Sequence, residues 1–143
     1  MNNISIKELN TVVELRELIS VFSFAFEAEY DVKDDYLQNM LDNEAVVILG
    51  VMKEKKIVGG LVAFEMTPIH GSKEFYIYDI AVHSEYQKQG LGKKLLEHIK
   101  EEAKNRGIKT IFVEAESEDK EAVAFYRAIG GEEVGVNHFN FTV

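Results

Sequence analysis

The chain has 143 residues, a formal net charge of −9 and no cysteine. Its length and its 46% hydrophobic, 10% aromatic content fit one domain, residues 1–143, with a real core. The missing cysteine excludes a disulfide framework, a thiolate metal site and a cysteine nucleophile, while the negative charge opposes general affinity for nucleic acid and favours cationic partners.

The N-terminal MNNISIKEL lacks a basic region followed by an apolar one, and the longest apolar run, AVVILGVM, is too short to span a bilayer. A soluble, cytoplasmic protein with no membrane partner is expected. ISIKEL is the first strand candidate. Thr11 and Glu14 then have the spacing of a capping box, and Leu15, Leu18, Phe22 and Phe26 recur at helical spacing, so a helix with one inward face is predicted. A second helix covers DYLQNMLDN. AVVILGVM and KIVGGLVAFEM read as an antiparallel hairpin across the charged turn KEKK. TPIHGSK, with the only proline, is a loop.

FYIYDIAV, residues 75–82, reads as a strand buried on both faces, yet Asp79 interrupts it. An ionised carboxylate there costs on the order of several kcal/mol unless donors or a cation compensate. Leu91, Leu95, Ile99 and Ala103 mark a long helix that Gly107 ends. IKTIFVEAE is a strand whose alternation would place Glu114 and Glu116 on one face. EDKEAVAFYRAIG is a helix closed by Gly130, and EEVGV and HFNFTV are two last strands. The order predicts an α/β (α+β) domain with a mixed sheet of about seven strands and about four helices.

Between the Asp79 strand and the long helix lies HSEYQKQGLG. Gly90 and Gly92 flank the helix start, whose free amides and positive dipole end attract phosphate, and Lys88, Lys93 and Lys94 add charge. By itself the pair also fits a plain structural turn. GxxxxGK[ST] is absent, and GLGKKL lacks the third glycine of a dinucleotide fingerprint. His70, His83, His98 and His138 fall on separate elements without zinc-site spacing, so no metal is expected.

QKQGLG resembles the Q/R-x-x-G-x-G/A signature of the GNAT superfamily of acyl-CoA-dependent N-acetyltransferases. EDKEAVAFYRAIGG resembles that family's second signature, N-x-x-A-x-x-F/L-Y-x-x-x-G, with Asp119 in the asparagine place, then Ala122, Phe125, Tyr126 and Gly130. Within the superfamily, YIYDIAV, DYLQNML, EAVAFY and HFNF are most similar to the GNAT-type aminoglycoside 3-N-acetyltransferases, from about Phe26 onward.

The resemblance implies the GNAT fold, acetyl-CoA as acyl donor and a cationic amine as acceptor. The strand of Asp79 would splay from IKTIFVEA, with pantetheine in the gap against Ala81 and Val82. The pyrophosphate would rest on amides of Gln87, Lys88, Gln89, Gly90, Leu91, Gly92 and Lys93, with Asp119 and Ala122 near the cofactor. Tyr126 would protonate the leaving sulfur; its other reading is a helix tyrosine packed beside Phe125. Asp79, beside Tyr78 in the acceptor site, would bind the ammonium and take its proton; the other reading is a carboxylate capped by amides or paired with Lys or Arg. Glu114 and Glu116 would contact a polycation, and Glu27, Glu29 and Asp31 could form the opposite wall. The acceptor expected is the 3-amino group of an aminoglycoside, which would make antibiotic resistance a biological role. The alternatives are a polyamine, a small metabolite, a protein lysine or N-terminus, or acyl-CoA binding without catalysis. Pairing into a homodimer, with the last strands supplying an edge, fits the family.

Overall fold

Thr11 opens the first helix as a capping box: its hydroxyl accepts from the Glu14 amide, and the Glu14 carboxylate accepts from the Thr11 amide. This computed structural model describes residues 3–143. The elements run β1 (Ile4–Glu8), α1 (Val12–Phe26), α2 (Asp34–Asp42), β2 (Val46–Lys53), β3 (Lys56–Met66), β4 (Glu74–Val82), a short 3-10 turn (Ser84–Tyr86), α3 (Leu91–Asn105), β5 (Thr110–Val113) and α4 (Lys120–Ala128).

The sheet order follows the chain, β1-β2-β3-β4-β5, antiparallel throughout except for the parallel β4–β5 pair. A parallel neighbour requires a crossover, and α3 supplies it. Helices cover both faces. Leu91, Leu95, Ile99 and Ala103 of α3 pack on Val47, Leu49 and Val51, while Leu15, Leu18 and Phe22 of α1 pack on Ile48 and Val62. Two-sided burial explains why β2 reads as an unbroken apolar run.

Three expectations need correction. Phe26 leaves the α1 stripe and is 42% exposed, because the helix ends there, with Glu27 in the left-handed region at φ 51°. β5 stops at Val113, so Glu114 and Glu116 lie beyond the strand rather than on one of its faces. The described sheet has five strands instead of about seven: EEVGV and HFNFTV form no strand, and every residue from Gly131 to Val143 is exposed. Neither segment joins the sheet, which ends at β5.

Candidate active site

A bulge keeps Asp79 out of the core. Across β3 and β4, Val62 faces Asp79 and Ala63 faces Ile77, so Tyr78 is an extra residue on β4. Phe75 and Ile77 before the bulge, and Ile80 and Val82 after it, belong to the α3 side; Ala81 belongs to the α1 side. Unbroken alternation would drive Asp79 in beside Phe75 and Ile77. The extra residue turns it to the opposite face, where it is half-buried. The strand is therefore not buried on both faces as its composition suggests: Tyr78 is 64% exposed. Burial alone raises the Asp79 carboxyl above its ordinary pKa, with neither a cation nor amide donors to offset it.

The neighbouring strands part just beyond this point. β4 and β5 pair from Glu74 with Thr110 to Ile77 with Val113, and then β4 continues to Val82 paired with β3 only. The Val82 carbonyl accepts from Gln87 Nε2 at 2.9 Å, and the next amide, His83, donates to Val58 O of β3 at 2.8 Å. Ladder alternation then turns the Ala81 groups to β3 and the Val82 amide to the open side.

At the head of α3, Gly90 takes the left-handed conformation at φ 77°, and the helix has no side-chain cap, so its first amides are free to meet an anion. Gln87, Lys88, Gln89 and Gly90 are exposed, as are Lys93 and Lys94, whereas the Leu91 side chain anchors the helix in the core. A cleft of about 520 Å³ joins this region to the end of α1, lined by Phe24, Glu27, Val82, Ser84 and Gln87. Phe24 stacks on His83 with ring centroids 4.9 Å apart and planes at 11°. Glu27 is thus brought to the cleft, while Glu29 and Asp31 are exposed and outside its lining. Phe24 escaped the sequence reading; its signal is an aromatic off the inward stripe of an otherwise amphipathic helix.

Asp119 serves α4 as N-cap, accepting from the Ala122 amide at 3.1 Å. A carboxylate does this as well as asparagine, so the departure from the second signature leaves the helix start intact. Tyr126, half-buried about two turns further on, has its pKa raised by burial and then by the Asp119 charge. It stays protonated, able to donate, throughout the neutral range.

Beside Asp79 the sheet carries an aromatic face. Tyr76 stacks on Phe112 at 4.7 Å and 8°, and Tyr78 meets both Tyr76 and Phe64 edge to face. The Tyr76 hydroxyl donates to Glu114 Oε1 at 2.8 Å, and burial with this carboxylate pushes its pKa up to about 12. Tyr76 and Phe112 were not singled out from sequence, although tyrosines two apart on a strand signal a shared face. Glu116 is exposed in the loop before α4. His98 is exposed on α3, and His138 bonds Asn140 at 2.8 Å in the C-terminal segment. Among the described residues no group of His, Asp or Glu could hold a metal ion, and no helix is long and apolar enough to cross a membrane.

A mixed sheet that parts beside a glycine-led helix start, with the second signature on the next helix, defines an acyl-CoA acyltransferase type of site. The chain matches the acetyltransferase (GNAT) family over residues 12–130 and belongs to it. Members of this family use acetyl-CoA. Over 78 residues it is 36% identical to the ribosomal protein bS18 alanine N-acetyltransferase of Escherichia coli (strain K12), covering 54% of this chain and 52% of that protein. The chain thus spans about half the length of that relative. The aminoglycoside acetyltransferase meta-AAC0020, from an uncultured soil metagenomic sample, superposes with a TM-score of 0.93 over 98% of this chain and 96% of its own. It is 32% identical in a complex with trehalose and 30% in a complex with sisomicin.

Proposed function

We propose that this chain transfers acetyl from acetyl-CoA directly to a primary amine of an aminoglycoside-like polycation, at the 3-amino position. The observation that carries the reading is the parting of β4 from β5 at Ile77 and Val113, with the Val82 amide turned into the gap. Pantetheine lies there along Ala81 and Val82, and the pyrophosphate meets the amides from Gln87 to Lys93, with Lys88 and Lys93 adding charge. Asp119, Ala122 and Tyr126 bring α4 to the cofactor's other side.

Asp79 binds the acceptor as an ammonium and accepts its proton, directly or through water. The freed lone pair attacks the thioester carbonyl. A carbon–nitrogen bond forms, and the carbonyl oxygen takes the negative charge, which the Val82 amide stabilises in a partly water-excluded gap. Collapse restores the carbonyl and breaks the carbon–sulfur bond, Tyr126 gives its proton to the departing sulfur, and the attached nitrogen releases its second proton to water, leaving a neutral amide. Solvent then reprotonates the tyrosine. No acyl-enzyme is needed, and holding amine and thioester together supplies much of the rate. Asp79 with its raised pKa suits proton acceptance better than an ordinary surface carboxylate.

For the acceptor, Glu27, Asp79, Glu114 and Glu116 offer negative charge around the gap, and the stacked Tyr76 and Phe112, with Tyr78 edge-on beside them, offer an aromatic surface for sugar rings. The likeness to meta-AAC0020 supports this class. A second reading, a peptide N-terminus, is favoured by the identity to the bS18 alanine acetyltransferase. The test is thiol release from acetyl-CoA with sisomicin, spermidine and a peptide beginning with alanine, followed by location of the acetyl group. Turnover of sisomicin at its 3-amino group is expected. Turnover of the peptide or spermidine alone overturns the acceptor, and stabilisation by CoA with no thiol release against any amine overturns catalysis.

A further inference from the structure

Phe24 stands off the inward stripe of its helix. α1 turns Leu15, Leu18, Val21 and Phe22 into the core, whereas Phe24 is 62% exposed and lines the cleft of about 520 Å³ beside Val82. One face of its ring is already taken, by the parallel stack on His83. His83 is held in turn. Its amide donates to Val58 O at 2.8 Å, its Nδ1 accepts from the Glu85 amide at 3.2 Å, and Tyr86 meets its ring edge to face at 6.0 Å. The Lys53 ammonium lies 4.8 Å from the centre of the Tyr86 ring and steadies that side. Phe24 is therefore a backed wall, because swinging away from the cleft would drive its ring into His83.

The rest of the lining decides what the wall meets. Of the lining residues only Glu27 is charged, and Phe24 and Ala25 supply apolar surface next to Val82. Two polar side chains of the lining are spent: Ser23 Oγ donates to Ala28 O, and Gln87 Nε2 donates to Val82 O at 2.9 Å. Asp79, Glu114 and the stacked Tyr76 and Phe112 do not line this cleft. It serves the donor side of the site, and the acceptor's aromatic surface lies elsewhere.

We infer that Phe24, backed by His83, sets the length of the acyl chain, seating the methyl of an acetyl group and stopping longer aliphatic chains. The inference rests on the function proposed above and narrows its donor. A thioester carbonyl carbon has three substituents in one plane. With its oxygen on the Val82 amide and its sulfur towards Tyr126, the acyl chain takes the direction that remains, into the cleft, while the amine attacks across the plane from Asp79. Each added methylene then presses on a ring that cannot retreat, and overpacking against a fixed wall is unfavourable. A misfit of one methylene in an apolar pocket is worth roughly 10–200-fold.

Calorimetric titration of the full chain with CoA, acetyl-CoA and butyryl-CoA, with no acceptor present, tests the stop. CoA carries no acyl chain and gives each protein its own reference affinity. In the parent, butyryl-CoA should bind at least about tenfold more weakly than acetyl-CoA. Phe24→Ala, which removes no core residue, should bring the two within about fourfold, the factor of one buried methylene. His83→Ala keeps the phenylalanine but frees it to swing, so it should recover part of the same change. Equal affinities in the parent, or a ratio that Phe24→Ala leaves in place, would overturn the stop, and a ratio that His83→Ala leaves in place would overturn its backing. Failure of CoA itself to bind the parent would overturn the donor site of the proposed function and the stop with it. An error in the acceptor class moves none of these readings.

Discussion

The ring of Phe125 occupies the space in which Gly92 has no side chain: a Cβ on Gly92 would lie 2.7 Å from Phe125 Cζ. Glycine at this position thus lets α4 approach the first turn of α3. The two signatures meet in one contact, and Tyr126 is the next residue along.

Replacing Gly92 with Ala should separate stability from function. Alanine in a helix gains about 0.5–1 kcal/mol over glycine, and overpacking costs about 1–3 kcal/mol, but the struck atom is the far end of a half-buried ring that can swing. Thermal unfolding should move by only a few degrees. Displacement of the ring shifts α4, however, so acetyl-CoA affinity should fall on the order of tenfold, about 1.4 kcal/mol, measured by titration calorimetry. Gly92→Val should do both more strongly.

Asp79→Asn should lower kcat by about 10²-fold or more, the usual range for a lost general base, while CoA binding stays near that of the parent. The stability change runs the other way. A carboxyl whose folded pKa is raised by burial destabilises the fold above that pKa, and the cost disappears as pH falls through it towards the unfolded value of 3.8. The asparagine variant should therefore melt at or above the parent temperature at pH 7, and the advantage should vanish in acid. Parent-like turnover would remove Asp79 from the chemistry.

Most of the fold was legible because the signals are local and redundant. Thr11 and Glu14 fixed the start of α1, and Leu91, Leu95, Ile99 and Ala103 fixed α3 with all four residues buried. The fate of Asp79 was not legible. Composition marks a buried strand, but the insertion of one residue against β3 is set by pairing between segments far apart in the chain, which no window on β4 contains. The Tyr76–Glu114 pair spans 38 residues and escaped for the same reason. The final strands failed differently: EEVGV and HFNFTV carry β-branched and aromatic residues, but composition says only that a segment suits a strand and not that it pairs, and the five-strand sheet ends at β5 without them.

Tyr126→Phe should lower kcat with little change in KM for either substrate, because its proton is needed only when sulfur leaves. Asp119 allows its environment to be tested separately. Asp119→Asn keeps the cap on Ala122, so α4 should hold within a few tenths of a kcal/mol, whereas Asp119→Ala should cost about 1 kcal/mol. Removing the Asp119 charge should also lower the Tyr126 pKa, moving the alkaline limb of the kcat profile to lower pH. An alkaline limb that stays in place in Asp119→Asn and in Tyr126→Phe would assign it to another group.

The Tyr76–Glu114 hydrogen bond makes a prediction at high pH. The phenol titrates at about 12 in the fold and at 10.0 without it, so the folded state holds its proton more tightly. Its contribution is therefore complete below pH 10 and is lost as the pH rises towards 12. Denaturant midpoints of the parent should drop over that window, and Tyr76→Phe, which has no proton to lose, should drop less. Glu114→Gln leaves the phenol a neutral acceptor and removes the nearby charge, so ultraviolet titration should find a tyrosine returned part of the way towards 10. If Glu114 is also one wall of the acceptor site, the same variant should raise KM for a polycationic amine more than KM for acetyl-CoA. A rise in the acceptor KM that weakens with added salt would mark the loss as electrostatic, since screening shrinks the contribution of the exposed carboxylate in the parent.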